Sequence, residues 1–530
     1  MKQNHYKRLI SYCILLLIAN PILAVNYFVS GFGSDSNNGL SYNSPYLTIQ
    51  TAANHTNPGD TVFVMNGTYT NSCSQCNVVT ITRSGNVSAW IIYINYPGHS
   101  PLLQFNGWQG FSITSGAAYI EINGFTIQGN NANVTLANAL NQPASCANPS
   151  GSADPQYNGN GISSDGRSGG HPHHLRFINN TVYECGGAGI STIQSDYVTI
   201  EHNIIYNNCW YTIYGTSGIS TWQNWNYDNS SGYRMFIKNN KCFGNRLYVP
   251  WSGPCEITDG NGIIIDDSKN TQNGSTLGAY TGRTLVTNNI VYGNGGSGIH
   301  AYESEHVDII NNTAYLNSQS PEIDNGEIFG NTANDINILN NVLYALSGNK
   351  INSNYNNTNL TYDYNIHYGG TTASLIGLHT IYGDPEFVAP SLADTADFHL
   401  QPGSPAIDNG TSNLAPSVDF SYYKRPIGSE YDIGAYEWGN IPVLSIVASH
   451  LNQNTVSVFY QKNSETIVIK IDQGTIEAVV IYDETGKVFF LSKEYNTAFI
   501  EINASCFSSG LYVVKISTDT DMYAAKIVKW

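Results

Sequence analysis

Charge is scarce in this chain. Asp, Glu, Lys and Arg make up only 12% of 530 residues, and Lys+Arg number 22 against 39 Asp+Glu. So little charge fits a helical bundle poorly. It fits an all-β protein rich in turns, which the abundant Gly, Asn, Tyr, Ser and Thr would build. The shortage of cations is uneven. Residues 25–440 carry a net −18, from 12 Lys+Arg and 30 Asp+Glu. That argues against a nucleic-acid groove, because phosphate contacts demand clustered basic residues. It also means that an anionic glycan would need bound cations to reverse the local field. Long apolar runs are missing beyond the start, so no later segment is expected to cross a bilayer. Nine cysteines are present, but only Cys73 and Cys76 lie close together. Without a second such pair or nearby histidines zinc is disfavoured, which leaves a local disulfide or free thiols.

The one apolar run, Leu9–Ile18, follows Lys2, Lys7 and Arg8 and precedes Ala24. A charged start, a short apolar core and a small residue predict a signal peptide over residues 1–24, and export permits disulfides. The length exceeds one ordinary domain, so one long element plus a smaller one is expected.

Between residues 175 and 344 six segments repeat one pattern: LRFINNTVY, VTIEHNIIY, MFIKNNKCF, TLVTNNIVY, VDIINNTAY and INILNNVLY. An Asn recurs at Asn180, Asn203, Asn240, Asn289, Asn312 and Asn341, with spacings of 23, 37, 49, 23 and 29. Three residues beyond each stands an aromatic ring: Tyr183, Tyr206, Phe243, Tyr292, Tyr315 and Tyr344. A coil of roughly 23 residues with inserts in some turns is the signature of a solenoid. Stacked coils about 4.8 Å apart place like positions in columns. Asn in such a column tolerates the bend and can hydrogen-bond its own copies. Alternation sends Phe177, Ile200, Ile237, Val286, Ile309 and Ile338 inward.

The opening YFVSGFGSDSNNGLSYNSPYLTIQTAA and NPGDTVFVMNGTY (27–69) resembles the entry to many secreted bacterial right-handed parallel β-helix proteins of the pectate-lyase-like group. It implies a Gly-Asp-rich turn, a capping helix near Thr48–Ala53 and a first coil. DFHLQPGSPAIDNG (397–410) and YDIGAYEWGN (431–440) resemble that group's closing segment, the cap an open solenoid end needs. Residues 441–530 change to plain alternation in TIVIKID, AVVIYDETGK and GLYVVKIS, which reads as a small β-sandwich. This tail resembles the sorting domain of type IX secretion substrates, implying a partner in that machinery and a secreted or surface-attached protein. The expected fold is therefore all-β: a β-helix over 25–440, then a β-sandwich over 441–530.

Chemistry is expected at a second motif that begins Gly-Ile: GISTIQS (189–195), GISTWQN (218–224), GIIIDDS (262–268) and GIHAYES (298–304). With Ile190, Ile219, Ile263 and Ile299 inward, the outer face gathers Trp222, Asp266, His300 and Tyr302, with Asp267 and Glu303 at its edge. Aromatic rings lie flat on sugars, and two stacked carboxyls about 5 Å apart cannot both ionise cheaply. Inserts at 223–236 and 244–261 are placed to wall this face. Lys238 is expected to pair with Glu201 on the neighbouring coil, and His171, His173 and His174 to be ordinary surface.

Three functions fit, all on an extracellular polysaccharide and with the chain as a monomer. The resemblance favours a lyase: Asp259, Asp266, Asp267 and Glu303 would hold Ca²⁺ and Lys269 or Arg283 would abstract a proton from a uronate, although the group's clear calcium and lysine motifs are absent. The second is a glycoside hydrolase with Asp267 and Glu303 as its acidic pair, whose spacing predicts retention. The third is a glycan-binding or adhesion protein using the same face without catalysis.

Overall fold

The computed structural model describes residues 24–439 except 97, and 456–529 except 462–464, 472–474, 484–487, 505–506, 508–509 and 519–521. The expected signal peptide (all but its last residue), the junction at 440–455 and Cys506 lie outside the described residues.

The repeat folds as a parallel β-helix. Each coil lays down three short strands, and equivalent strands of successive coils pair in parallel into sheets of 11, 11 and 9 strands. In one coil these are His173–Ile178 in the first sheet, Thr181–Tyr183 in the second and Ile190–Ile193 in the third, the Gly-Ile sheet. The register is that read from the repeat: Phe177 pairs with Ile200, then Ile237, Val286, Ile309 and Ile338. All six are fully buried. At about 1.5–3 kcal/mol per buried aliphatic or Phe side chain, such columns are what the coil gains by closing on itself.

The Asn column is a continuous hydrogen-bonded ladder. Asn180 Nδ2 donates to Asn203 Oδ1 (3.1 Å), Asn203 to Asn240 (3.0 Å), Asn240 to Asn289 (3.0 Å), and the chain continues through Asn312 and Asn341 to Asn365. The strained backbone falls one residue earlier than expected. Asn179, His202, Asn239, Asn288, Asn311 and Asn340 take φ of 54–58° and turn the corner, while the ladder residues hold it. Five residues beyond the ladder, at the next corner, a second one joins Asn208, Asn245, Asn294 and Asn317. It ends on Glu327, whose carboxyl accepts from Asn317 Nδ2 at 2.6 Å and from its backbone N–H at 3.0 Å.

The helix Ile49–His55 caps the entry, with the Thr48 side chain accepting from the Thr51 N–H as its N-cap. The closing segment behaves differently from expectation. Residues 384–439 run back along the outside of the second sheet, where Phe398, Ala406 and Ala435 pack with Phe243, Tyr292 and Tyr315. They also cover the Asn corner, since Asn239 and Asn311 donate to the Asp419 and Asp432 carbonyls. The aromatic column needed an apolar cover along its flank, and this segment supplies it. Lys238 pairs with Glu201 at 2.9 Å, as anticipated. Cys73–Cys76 is a disulfide and a second one joins Cys146 to Cys255, while Cys185, Cys209 and Cys242 are buried free thiols. The tail forms antiparallel sheets of three and four strands around their own core of Ile, Val and Phe.

Candidate functional site

Along the Gly-Ile sheet, Ile190, Ile219, Ile263 and Ile299 are in register and fully buried. The outer face therefore carries the alternate positions. Its fifth-position column runs Asp165, Ile193, Trp222, Asp266, Tyr302 and Asn331 on successive strands. Trp222 and Tyr302 thus flank Asp266, each one strand away, about 4.8 Å. All three are half-buried.

Inserts raise a wall on each side. Before the strands, residues of 134–157, 211–213 and 249 share a small core of Ala139, Tyr157, Ile213 and Val249, and Cys146–Cys255 ties it together. After the strands, segments 223–232 and 269–282 are locked by buried Arg234. Its guanidinium reaches the Asp228 carboxyl at 2.8 Å, Asn226 Oδ1 at 2.6 Å, Asp196 at 3.4 Å and the Tyr280 ring at 4.5 Å. The strand face between these walls is the floor of a groove. Outward-facing Ser191, Ser220 and Ile264 are only 8%, 8% and 3% exposed, so its deepest line is narrow.

Within this groove the expected residues separate into those that converge and those with other work. Asp266 and Asp259 converge. Burial, then nearby Asp259, pushes the Asp266 carboxyl well above its ordinary value. Burial raises Asp259 to about 6, although Thr258 Oγ1 donates to it at 2.6 Å. Neither forms an ion pair with Lys or Arg among the described residues, so neither receives the neighbour that would favour its charged form. Tyr302 joins them, its phenol raised by burial and then by the nearby Glu303 carboxylate. His300 also lies here, stacked on Phe329 at 4.2 Å with Nε2 buried and unpartnered. Desolvation lowers it to about 3, so it is a neutral ring.

Asp267 requires a correction. It is fully buried at a left-handed bend (φ 50°), which turns its carboxyl away from the groove into the insert that follows. There it accepts from the Thr271 N–H (2.7 Å), Thr271 Oγ1 (3.0 Å), the Gln272 N–H (2.8 Å) and Gln223 Nε2 (2.9 Å). All its lone pairs are committed, so it anchors the insert and is not free to attack or hold substrate. Arg283 is also elsewhere. It opens a first-sheet strand, Arg283–Thr287, clamped between Asp308 (2.6 Å) and Asp335 (2.7 Å). The Lys269 ammonium donates to the Thr332 carbonyl at 2.6 Å.

The calcium set does not assemble either. Among the described residues no three His, Cys, Asp or Glu side chains form a group able to hold a metal ion. With Asp267 saturated, Asp259, Asp266 and Glu303 do not fit Ca²⁺, and no chemistry is routed through it.

Two groove residues escaped sequence reasoning. Arg167, on the turn after Asn160–Asp165, is held by Asp165 (2.6 Å) and reaches along the axis to within 5.8 Å of the Trp222 ring centroid. Its guanidinium is forked onto Asp165, yet its side chain is 53% exposed, which leaves part of the cation facing solvent beside Trp222. The pattern GISSDGR (161–167) offered the signal, as one more Gly-Ile segment. Gln272 sits in the 269–282 insert, outside any repeat, and nothing in its surroundings announced it.

Comparison with known proteins accords with this architecture. Residues 27–334 match the family model "Pel9A-like, right handed beta helix region". Residues 462–530 match that of the secretion system C-terminal sorting domain, so the protein is handled by that system and is secreted or attached at the cell surface. Among solved structures, pectate lyase Pel9A is 18% identical, covering 79% of this chain and 97% of its own, at a TM-score of 0.46. A rhamnogalacturonan lyase is 13% identical, with 69% and 91% covered and a TM-score of 0.39. A GH136 lacto-N-biosidase from Eubacterium ramulus is 13% identical, with 66% and 57% covered and a TM-score of 0.37. No curated protein matches the chain.

Proposed function

The chain belongs to the Pel9A-like right-handed β-helix family, and from that premise we propose that the Gly-Ile groove belongs to an enzyme that cleaves an extracellular polysaccharide by acid–base hydrolysis. Trp222 and Tyr302 are the sugar platforms. Asp266, between them, is the proton donor to the glycosidic oxygen, and Glu303, at the left-handed bend that follows the neighbouring strand Ile299–Tyr302, is the second carboxyl that guides water to the sugar carbon. The bond broken is the one between that carbon and the glycosidic oxygen. The leaving oxygen takes the proton of Asp266, and water supplies the hydroxyl of the new reducing end, its other proton passing to Glu303.

One observation carries the reading: a carboxyl sits on the groove floor between two rings, without an ion pair to Lys or Arg among the described residues, where burial raises its pKa well above the ordinary value. A general acid needs that environment. Elimination, which the family resemblance first suggested, requires a base beside a uronate; Lys269 donates to the Thr332 carbonyl and Arg283 lies in an ion-pair cluster on another sheet, which supports hydrolysis over elimination.

The test is to incubate the full chain with neutral and uronic polysaccharides while following reducing ends and the ultraviolet absorbance of unsaturated uronates. Reducing ends without that absorbance are expected, and Asp266→Asn should lower kcat by about 10²–10⁴-fold. Unsaturated products, or full activity in Asp266→Asn, would overturn the proposal.

A further inference from the structure

Gln272 joins the side chains of two groove residues that stand in register on adjacent strands. It lies in the short helical turn Gln272–Gly274, in the insert that follows the Asp266 strand. Its side-chain oxygen accepts from the Trp222 indole Nε1–H at 3.1 Å, and its Nε2 donates to Asp266 Oδ1 at 2.9 Å. The amide cannot be turned over, because the indole only donates and so must meet the oxygen. The backbone of Gln272 is equally fixed: its N–H donates to Asp267 Oδ2 at 2.8 Å and its carbonyl accepts from Gln223 Nε2 at 3.0 Å. Side chain and main chain are both held, the main chain by Asp267 and Gln223.

We infer that Gln272 is a positioning residue that links the sugar-binding ring of Trp222 to the acid of Asp266, with the insert anchored on Asp267 as its mount. The inference rests on the groove being the glycan site. The amide does two separable things. It fixes the plane of the indole, and hence the level at which a sugar is seated. It also occupies Asp266 Oδ1, so the transferable proton sits on Oδ2. A ring that rotated freely, or a carboxyl that exchanged its two oxygens, would bring acid and glycosidic oxygen together in a smaller fraction of encounters. This also explains why Asp267, adjacent in sequence to the acid, is buried and saturated: it holds the mount.

Two substitutions separate these jobs. Gln272→Glu keeps an oxygen for the indole but loses the donor to Asp266, whereas Gln272→Ala loses both. On the full chain, Gln272→Glu should hold glycan affinity within about twofold and lower kcat about five- to tenfold, the scale of one hydrogen bond. Gln272→Ala should lower kcat similarly and weaken affinity about five- to tenfold as well. The indole N–H resonance of Trp222, assigned through Trp222→Phe, reads the link without any activity. It should move upfield in Gln272→Ala and stay near its native position in Gln272→Glu. An unmoved resonance in Gln272→Ala, or the same affinity and kcat as native in both variants, overturns the inference. Loss of the indole link with no glycan activity in the native chain would instead count against the groove's function.

Discussion

Replacing Asn240 with alanine should destabilise the β-helix far more than an exposed Asn→Ala change, and the ladder geometry sets the size. Asn240 Oδ1 accepts from both the N–H and the Nδ2 of Asn203 at 3.0 Å, and its Nδ2 donates to the Ile200 carbonyl at 2.9 Å and to Asn289 Oδ1 at 3.0 Å. Asn203 Nδ2 keeps other acceptors, the Phe177 and Glu201 carbonyls, and Asn289 Oδ1 keeps the Asn240 N–H. The Asn203 N–H and the Ile200 carbonyl lose these partners in a place without water. Each buried polar group left unpaired costs about 1–3 kcal/mol, so Asn240→Ala should cost about 2–6 kcal/mol. With an unfolding entropy of about 2.1 cal/mol/K per residue over roughly 400 residues, 3 kcal/mol corresponds to a fall of about 3–4 °C in Tm. Thermal melts followed by circular dichroism, with exposed Asn229→Ala as control, make the comparison. Equal melting of the two variants would refute the reasoning, because it would mean the ladder merely fills space.

Three further outcomes are expected. Burial raises Glu327 from 4.5 to about 8, so the native state keeps a proton that the unfolded chain releases; its contribution is complete below about pH 4.5 and fades as pH rises to about 8. Glu327→Gln should therefore shrink the Tm difference between pH 5 and pH 8.5, and an unchanged difference would show that this carboxyl titrates normally. Arg167→Ala should weaken binding of uronic or sulfated glycans several-fold, measured by calorimetry, and leave neutral glycans within about twofold, because the guanidinium, though paired with Asp165, is half-exposed beside Trp222. Chelation should leave hydrolysis unchanged, since the carboxyls do not gather as ligands; a loss of rate restored by Ca²⁺ would contradict that arrangement.

The solenoid was legible because its physics repeats. Every coil must turn the same corner, so Asn180, Asn203, Asn240, Asn289, Asn312 and Asn341 recur with their aromatic partners, and alternation then gives the inward column. The second ladder was equally written, always five residues on, at Asn208, Asn245, Asn294 and Asn317. It was missed because inserts of different length begin there and blur the pattern. The floor column of Trp222, Asp266 and Tyr302 followed from the Gly-Ile register. Asp267 did not follow, because alternation ends where the backbone turns left-handed, and the direction of its carboxyl depends on an insert that no other coil shares. Arg283 was misplaced for a related reason: 16 residues separate it from Asp267, enough to carry the chain through the insert into the next sheet. Gln272 and the Arg234 lock are products of inserts alone, where neither period nor alternation applies.

The most direct test of the groove is a crystal structure of the Asp266→Asn protein with an oligosaccharide cut from whichever polysaccharide the native chain degrades. The account predicts sugar rings across Trp222 and Tyr302, with a glycosidic oxygen within hydrogen-bonding distance of the side chain at position 266. An oligosaccharide seated on the first or second sheet, with the Gly-Ile face bare, would contradict it.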